Sequence, residues 1–169
     1  LAVVPPGFVT GEETALVNAL EGRAAKPSFT PPRPFERGYR GAPTLVQNVE
    51  TLAHMALIAR HGPGWFRALG TRDEPGSALF TLSGAVARPG VYEAALGTPL
   101  SAVVAQAGGL RGEPRAFLVG GFFGSWVDPF VAQGLSLLDV ELTAVGAALG
   151  AGAIVVLPAG ICGLDQSAR

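Results

Sequence analysis

The stretch TLSGAVARPGVYEAALGTPLSAVVAQAGGLRG, residues 81–112, decides the fold. It closes a strand expected over residues 78–84. Ala87-Arg88-Pro89-Gly90 follows as a turn, because proline presets φ and glycine admits the positive values that tight turns need. Residues 91–93 read as the returning strand. Thr98 then stands as a candidate N-cap, with Pro99 at the first helical position. Leu100, Val103, Val104 and Ala107 make one apolar stripe at helical spacing, and Gly108-Gly109 is placed to end it.

Working outward, residues 116–119, 123–127 and 153–157 read as further strands. The order is hairpin, helix, strands. One helix laid across a small mixed sheet is an α+β solution, and this order suits a β-grasp (ubiquitin-like) domain. Upstream, residues 12–20 read as a helix whose Ala15, Leu16, Ala19 and Leu20 share a face, with Gly22 ending it. Its two leading acids suit the positive end of the helix dipole. KPSFTPPRPF, residues 26–35, has four prolines and reads as an extended connector packed along a surface. A second helix is carried by Val49, Leu52, Ala53, Ala56 and Leu57. Pro43 and Thr44 precede it, and His61-Gly62-Pro63-Gly64 stops it. A short third helix is expected over residues 65–69, with Trp65 and Phe66 as core packing. The fold expected is therefore α+β, a β-grasp preceded by a short helical segment.

Composition removes several functions. The chain has 169 residues, 49% of them apolar and 15% charged, with a formal net charge of −1. Without a basic patch or charge run it does not read as a nucleic-acid binder. A single cysteine, Cys162, can form neither an internal disulfide nor a Cys-ligated cluster within this chain. The only lysine, Lys26, is followed by Pro27, so there is no Walker A loop. His54 and His61 lack an acidic partner at metal-ligand spacing. There is no Gly-x-Ser-x-Gly elbow, and the dinucleotide pattern that Gly150 and Gly152 begin fails at Val155. Residues 142–164 carry no charge, which is length enough for a bilayer. Five glycines and Pro158 interrupt them, and only AIVVL, residues 153–157, is strongly apolar, the length of a buried strand. No membrane insertion is expected. Nor is a signal peptide: residues 1–4 are apolar, but Pro5, Pro6 and Gly7 follow and no basic segment precedes them.

The spacing of Ser83-Gly84, Arg88-Pro89-Gly90-Val91-Tyr92, Gly97-Thr98-Pro99-Leu100 and Ala107-Gly108-Gly109 resembles the soluble-ligand-binding β-grasp (SLBB) family. GEETALVNALEG, residues 11–22, and PTLVQNVETLAHM, residues 43–55, resemble the NADH- and FMN-binding flavoprotein component of respiratory complex I. So do the proline-rich connector between them and the tail GAALGAGAIVVLP, residues 146–158. The resemblance covers nearly the whole chain. It implies an interior piece of an NADH:quinone oxidoreductase-like flavoprotein. Residues 1–42 would end the FMN/NADH domain and 43–76 would border the flavin. Residues 77–157 would be the β-grasp and 158–169 the lead-in to an iron–sulfur helical domain.

By the same resemblance Gly11, Glu12 and Glu13 align with the flavin-pocket turn. Gly11 would let the backbone approach the ring, and the acids would border the nicotinamide side. Val46, Gln47, Asn48 and Thr51 align with the positions that hold the FMN phosphate. Read without the family, the same residues are a charged helix N-terminus and a capped helix start. Phe8, Thr10 and Gln47 depart from the family's Tyr, Cys and Asn. GGFFGSWVDPF, residues 120–130, is more aromatic than the family's, which points to a paralogue. Phe122, Phe123, Trp126 and Phe130 read as core and edge strand, with an apolar contact patch as the alternative.

The resemblance implies FMN and a [4Fe-4S] cluster in the longer protein, with no complete redox centre in this chain, which alone would be inactive and bind neither. It also implies NADH and the other subunits of such a complex as partners, and a cytoplasmic location peripheral to the membrane. The alternative function is a non-catalytic SLBB module that holds a small ligand or a partner protein.

Overall fold

Glu12 opens the first helix by folding its carboxylate back over the chain. It accepts from the N–H groups of Thr14 at 3.0 Å and Ala15 at 2.9 Å and from the Thr14 hydroxyl. That satisfies donors which a helix start otherwise leaves without partners. The helix, α1, runs over Glu13–Leu20. The computed structural model describes residues 2–4 and 6–167 and, of Phe123, Gln166 and Ser167, the backbone alone. Leu1 and Pro5, two of the residues that bear on a signal peptide, and the Phe123 ring lie outside the described residues.

The chain forms two compact units, Leu1–Leu57 and Ile58–Arg169. In the first, α1 buries Thr14, Ala15, Val17 and Asn18. This differs from the expected face, and Leu20 is exposed. Polar bonding explains the rotation. Asn18 donates to the Lys26 carbonyl at 2.8 Å and to Ser28 Oγ at 2.7 Å, while Thr14 Oγ1 accepts from the Ser28 N–H at 2.8 Å. The inward face of α1 is therefore a clamp on the connector. The connector runs without helix or strand as far as Arg33, with a bend at Pro31-Pro32. There Pro34 starts a one-turn helix, α2 (Pro34–Arg37), at the position where a missing N–H costs nothing. The Glu36 side chain accepts from the Arg33 N–H at 2.9 Å. Helix α3 (Val49–His61) matches the expected span, but no residue of it is buried; Val49, Leu52, Met55 and Leu57 all face solvent.

The second unit starts in the last turn of α3, and α4 (Pro63–Arg67) follows. Trp65 is exposed rather than packed in a core, with its ring 5.4 Å from that of His61. Phe66 lies against Gly76, leaving no room there for a side chain. Then β1 (Ser77–Gly84) and β2 (Gly90–Ala95) form the expected antiparallel hairpin, with Phe80 opposite Tyr92 and Leu82 opposite Gly90. Helix α5 runs over Leu100–Gln106 and starts one residue later than expected: Pro99 occupies the cap position and Thr98 makes no capping bond. Its stripe of Leu100, Val103, Val104 and Ala107 is buried. At roughly 1.5–3 kcal/mol for each large apolar side chain removed from water, this is a main source of stability.

Strand β3 (Pro114–Val119), β4 (Ser125–Val127), α6 (Pro129–Gln133), α7 (Asp139–Ala144), β5 (Ala153–Pro158) and α8 (Gly163–Ser167) complete the chain. The sheet order is β2-β1-β5-β3-β4, with β1 and β5 parallel and the other pairs antiparallel. This is the expected mixed sheet of the β-grasp. Parallel pairing brings Gly84 beside Val156. The core joins Phe80, Leu82, Val103, Phe117, Ile154 and Val156 to Leu137 and Leu142 from the loop and helix after α6. Of the aromatic stretch, Trp126 lies in edge strand β4, whereas Phe122 and Phe130 are 84% and 85% exposed. Those two rings are surface rather than core. The tight turn at Gly120, Gly121 and Gly124 delays β4 to Ser125, two residues after the expected start.

Candidate functional site

The two segments expected to border a cofactor, residues 11–13 and 46–51, both fall in the first unit. Gly11 leads into α1. A Cβ built there meets nothing within 4 Å, so this chain's own packing does not demand glycine at that position. Glu12 is engaged with its own helix start. Desolvation pulls its carboxyl upward, but the bonds from the Thr14 hydroxyl and the Ala15 and Thr14 N–H groups, with the charge of Arg33, outweigh that and hold it below the usual carboxylate range. Glu13 is half-buried and pairs with Arg33 Nη1 at 3.4 Å. Of the two acids, Glu13 has the carboxylate less committed to the backbone. Thr10 is buried beneath this turn and Phe8 is fully exposed.

Asn48 sits at the start of α3. Its Oδ1 accepts from the Glu50 N–H at 2.8 Å and its carbonyl from the Leu52 N–H at 3.1 Å. This arrangement leaves the Asn48 Nδ2 hydrogens free to donate outward. Gln47, Asn48 and Thr51 are exposed and Val46 is half-buried. The segment thus carries two side-chain amides and a hydroxyl, all on exposed residues, at the start of a 13-residue helix whose Glu50 N–H is already taken by Asn48. That donor set fits an anion with several acceptor oxygens, such as a phosphate. Glu50 in the same turn adds one opposing charge. The bonds of Glu12 and Glu13 run to Thr14, Ala15 and Arg33, and those of Asn48 to Glu50 and Leu52, so each segment is held by its own neighbours.

Sequence reasoning missed Arg33 and Asn18. Arg33 meets Glu13 across 20 residues, and no local pattern signals such a pairing. Asn18 in a helix interior did carry a signal. A residue that disfavours helices and lies inside a strong one generally has a side-chain bond to make. Asn18 Oδ1 accepts from Arg23 Nε at 2.9 Å, and Arg23 also pairs with Glu21.

Among the described residues no group of three or more His, Cys, Asp or Glu side chains is placed to hold a metal ion. Cys162 is exposed, and the N–H groups of Asp165 and Leu164 draw its thiol below the usual range. No helix of the described residues is long and apolar enough to cross a membrane.

The family model described as the SLBB domain matches residues 79–121, the span from β1 through the turn after β3. This chain carries an SLBB domain. Around that domain the chain is homologous to part of the F subunit of NADH-quinone oxidoreductase. It is 37% identical over 164 residues to the second such F subunit of Rhizobium meliloti, covering 96% of this chain and 39% of that protein. It is 46% identical over 108 residues to the F subunit of Mycobacterium bovis, covering 64% of this chain and 24% of that protein. The chain therefore spans between a quarter and two fifths of these relatives. Among solved structures it superposes on a chain of an NAD+-reducing [NiFe]-hydrogenase in the H2-reduced state. The TM-score is 0.76 with 38% identity, covering 95% of this chain and 27% of that one. Both the SLBB domain and the helical segment before it thus have counterparts of known architecture.

Proposed function

We propose that this chain serves within an NADH-oxidising flavoprotein subunit, where it lines part of an FMN site and supplies a β-grasp spacer towards an iron–sulfur domain. The observation that carries this reading is the likeness to the F subunit of NADH-quinone oxidoreductase along 96% of the chain, both helix-opening segments included. On this reading residues 1–42 end the FMN/NADH domain, 43–76 border the flavin, 77–157 form the SLBB domain and 158–169 lead towards a [4Fe-4S] helical domain. The partners are NADH and the other subunits of the complex, in the cytoplasm and peripheral to the membrane.

The donor chemistry of the α3 start supports the assignment. Gln47 and Asn48 amides, the Thr51 hydroxyl and the backbone N–H groups around Val46 would hold the FMN phosphate. Gly11 would leave the flavin ring room to approach the backbone. Glu13, steadied by Arg33, would face the nicotinamide side, and Glu12 would fix the turn that presents it. FMN, when bound, supplies a carrier that takes electrons as a pair and releases them singly.

The test is Asn48→Asp in the full-length protein. It keeps the side chain's shape and its Oδ1 acceptor but replaces an outward donor with negative charge. Flavin content per polypeptide should fall well below that of the wild type at equal purity, with the melting temperature little changed. Equal flavin loading would defeat the assignment of the phosphate to this segment.

A further inference from the structure

Resting on the reading above, in which Glu13 faces a bound dinucleotide, we infer that Arg33 donates to a phosphate of that dinucleotide and helps set how tightly it is held. Arg33 has a fixed backbone and an almost uncommitted side chain. Its N–H donates to the Glu36 side chain at 2.9 Å, and its carbonyl accepts from the Glu36 and Arg37 N–H groups, both at 2.9 Å. Pro34 restricts the next φ. Upstream, Asn18 donates to the Lys26 carbonyl and to Ser28 Oγ, and the Ser28 N–H donates to Thr14 Oγ1, so the same connector is tied to α1. These bonds deliver Arg33 to the opening of α1, although it lies 20 residues from Glu13 in sequence. The guanidinium, by contrast, is 59% exposed and makes one contact, from Nη1 to Glu13 at 3.4 Å. An exposed pair with a single long contact contributes little to stability. Most of the five N–H donors of Arg33 remain unused.

The chemistry of the turn selects a phosphate. The Glu12 carboxylate is taken by Thr14 and Ala15, so Glu13 and Arg33 are the charged side chains there with capacity left. A planar guanidinium pairs two-pronged with phosphate oxygens, and more strongly than through one end-on bond to a carboxylate. Arg33 gains by turning part of its fork from Glu13 to such an anion. An acid suited to ribose hydroxyls beside an arginine suited to phosphate is complementary to a ribose phosphate. Without Arg33 the turn would present two carboxylates to an anionic ligand, and like charges repel. The phosphate has two sources with the same acceptor chemistry: the pyrophosphate bridge of either dinucleotide, or the additional ribose phosphate of NADPH.

Titration calorimetry of NAD+ and NADP+ into the full-length protein, wild type and Arg33→Gln, tests this, with flavin content and melting temperature measured on the same samples. Arg33→Gln should raise the Kd about tenfold with flavin content and melting temperature little changed. An equal rise for both ligands assigns the contact to the pyrophosphate; a rise confined to NADP+ assigns it to the ribose phosphate. Arg33→Lys keeps the charge but not the fork and should lose about threefold, and it carries the test should Arg33→Gln fail to fold. Arg37 is an exposed residue of α2 on the same connector. Arg37→Gln removes the same charge and should leave both Kd values unchanged. Unaltered Kd values in a folded Arg33→Gln overturn the inference. So does an equal loss from Arg37→Gln, which would mark a general effect of charge. Flavin lost from Arg33→Gln would place the guanidinium on FMN instead and overturns it too. A wild-type protein that keeps flavin but binds neither dinucleotide overturns the inference while leaving the FMN assignment standing. One that holds neither flavin nor dinucleotide overturns the reading beneath it and this inference with it.

Discussion

Gly84 and Gly109 have similar positive φ, +78° and +88°, yet their surroundings differ completely. A Cβ on Gly84 would stand 2.1 Å from the Val156 carbonyl oxygen; one on Gly109 would meet nothing within 4 Å. Gly109→Ala therefore costs only the left-handed strain, about 1–2 kcal/mol. Gly84→Ala adds a backbone clash inside the parallel β1–β5 pairing and should cost at least about 3 kcal/mol. Urea unfolding of the two variants checks the ranking, and equal losses would mean that strand β1 can shift away from β5. Glu12 gives a residue-scale prediction in pH. Its folded carboxyl titrates below its unfolded value of about 4.3. The stabilisation is therefore complete above that value and is lost as pH falls through the folded one. Glu12→Gln should lower the melting temperature at neutral pH, and the gap from wild type should close on acidification below about pH 4. A gap that persists at pH 2 would mean that the cap does not depend on the charge. The glycine at 84 was legible as a strand end, but the carbonyl that forbids its replacement comes from 72 residues further on and leaves no trace in local sequence.

At the scale of elements, α5 was legible because an apolar stripe, a proline and two glycines agree within eleven residues. Val104→Asp tests that reading. It places an unpaired charge on a helix face packed into the core, where Val104 is 6% exposed, and should cost at least about 3 kcal/mol. An unchanged circular-dichroism melt would mean that the face is misassigned. Helix α6 carries the same kind of signal: Asp128 caps it by accepting from the Phe130 N–H at 2.8 Å, and Pro129 occupies the first turn. It was missed because five residues are too few for a stripe and the aromatic run read as strand. Helix α7 has no side-chain cap, and its buried Leu142 is a single apolar contact that periodicity cannot reveal. Helix α3 shows the opposite limit. Its period predicts an apolar face correctly, but a period says nothing about what covers that face. The same reasoning applies to the candidate site: the helix starts that hold Glu12 and Asn48 were readable, whereas the Glu13–Arg33 pair was not.

At the scale of the molecule, the cohesive core lies wholly between Ala78 and Val156, and each member of it belongs to the second unit. Every strand of the sheet is drawn from the same unit. A β-grasp whose central strands β1 and β5 are far apart in sequence cannot form piecemeal: the hairpin, α5 and β3 must all be in place before β5 is paired on both sides. Such an element order favours all-or-none unfolding of the unit. A polypeptide of residues 62–169, begun after α3, retains the whole core and is long enough to bury it. It should therefore fold alone and unfold in one cooperative transition, with a melting temperature within about 5 °C of the second unit in the intact chain. Trp65 and Trp126 both lie in that unit and report it by fluorescence, whereas Tyr39 lies in the first. The purified segment, like the 169-residue chain, is expected to carry no stoichiometric iron–sulfur cluster, because Cys162 is its only cysteine. A broad, non-cooperative melt of the segment would show that residues before 62 contribute to the stability of the β-grasp, and the assignment of its core to the second unit alone would then be wrong.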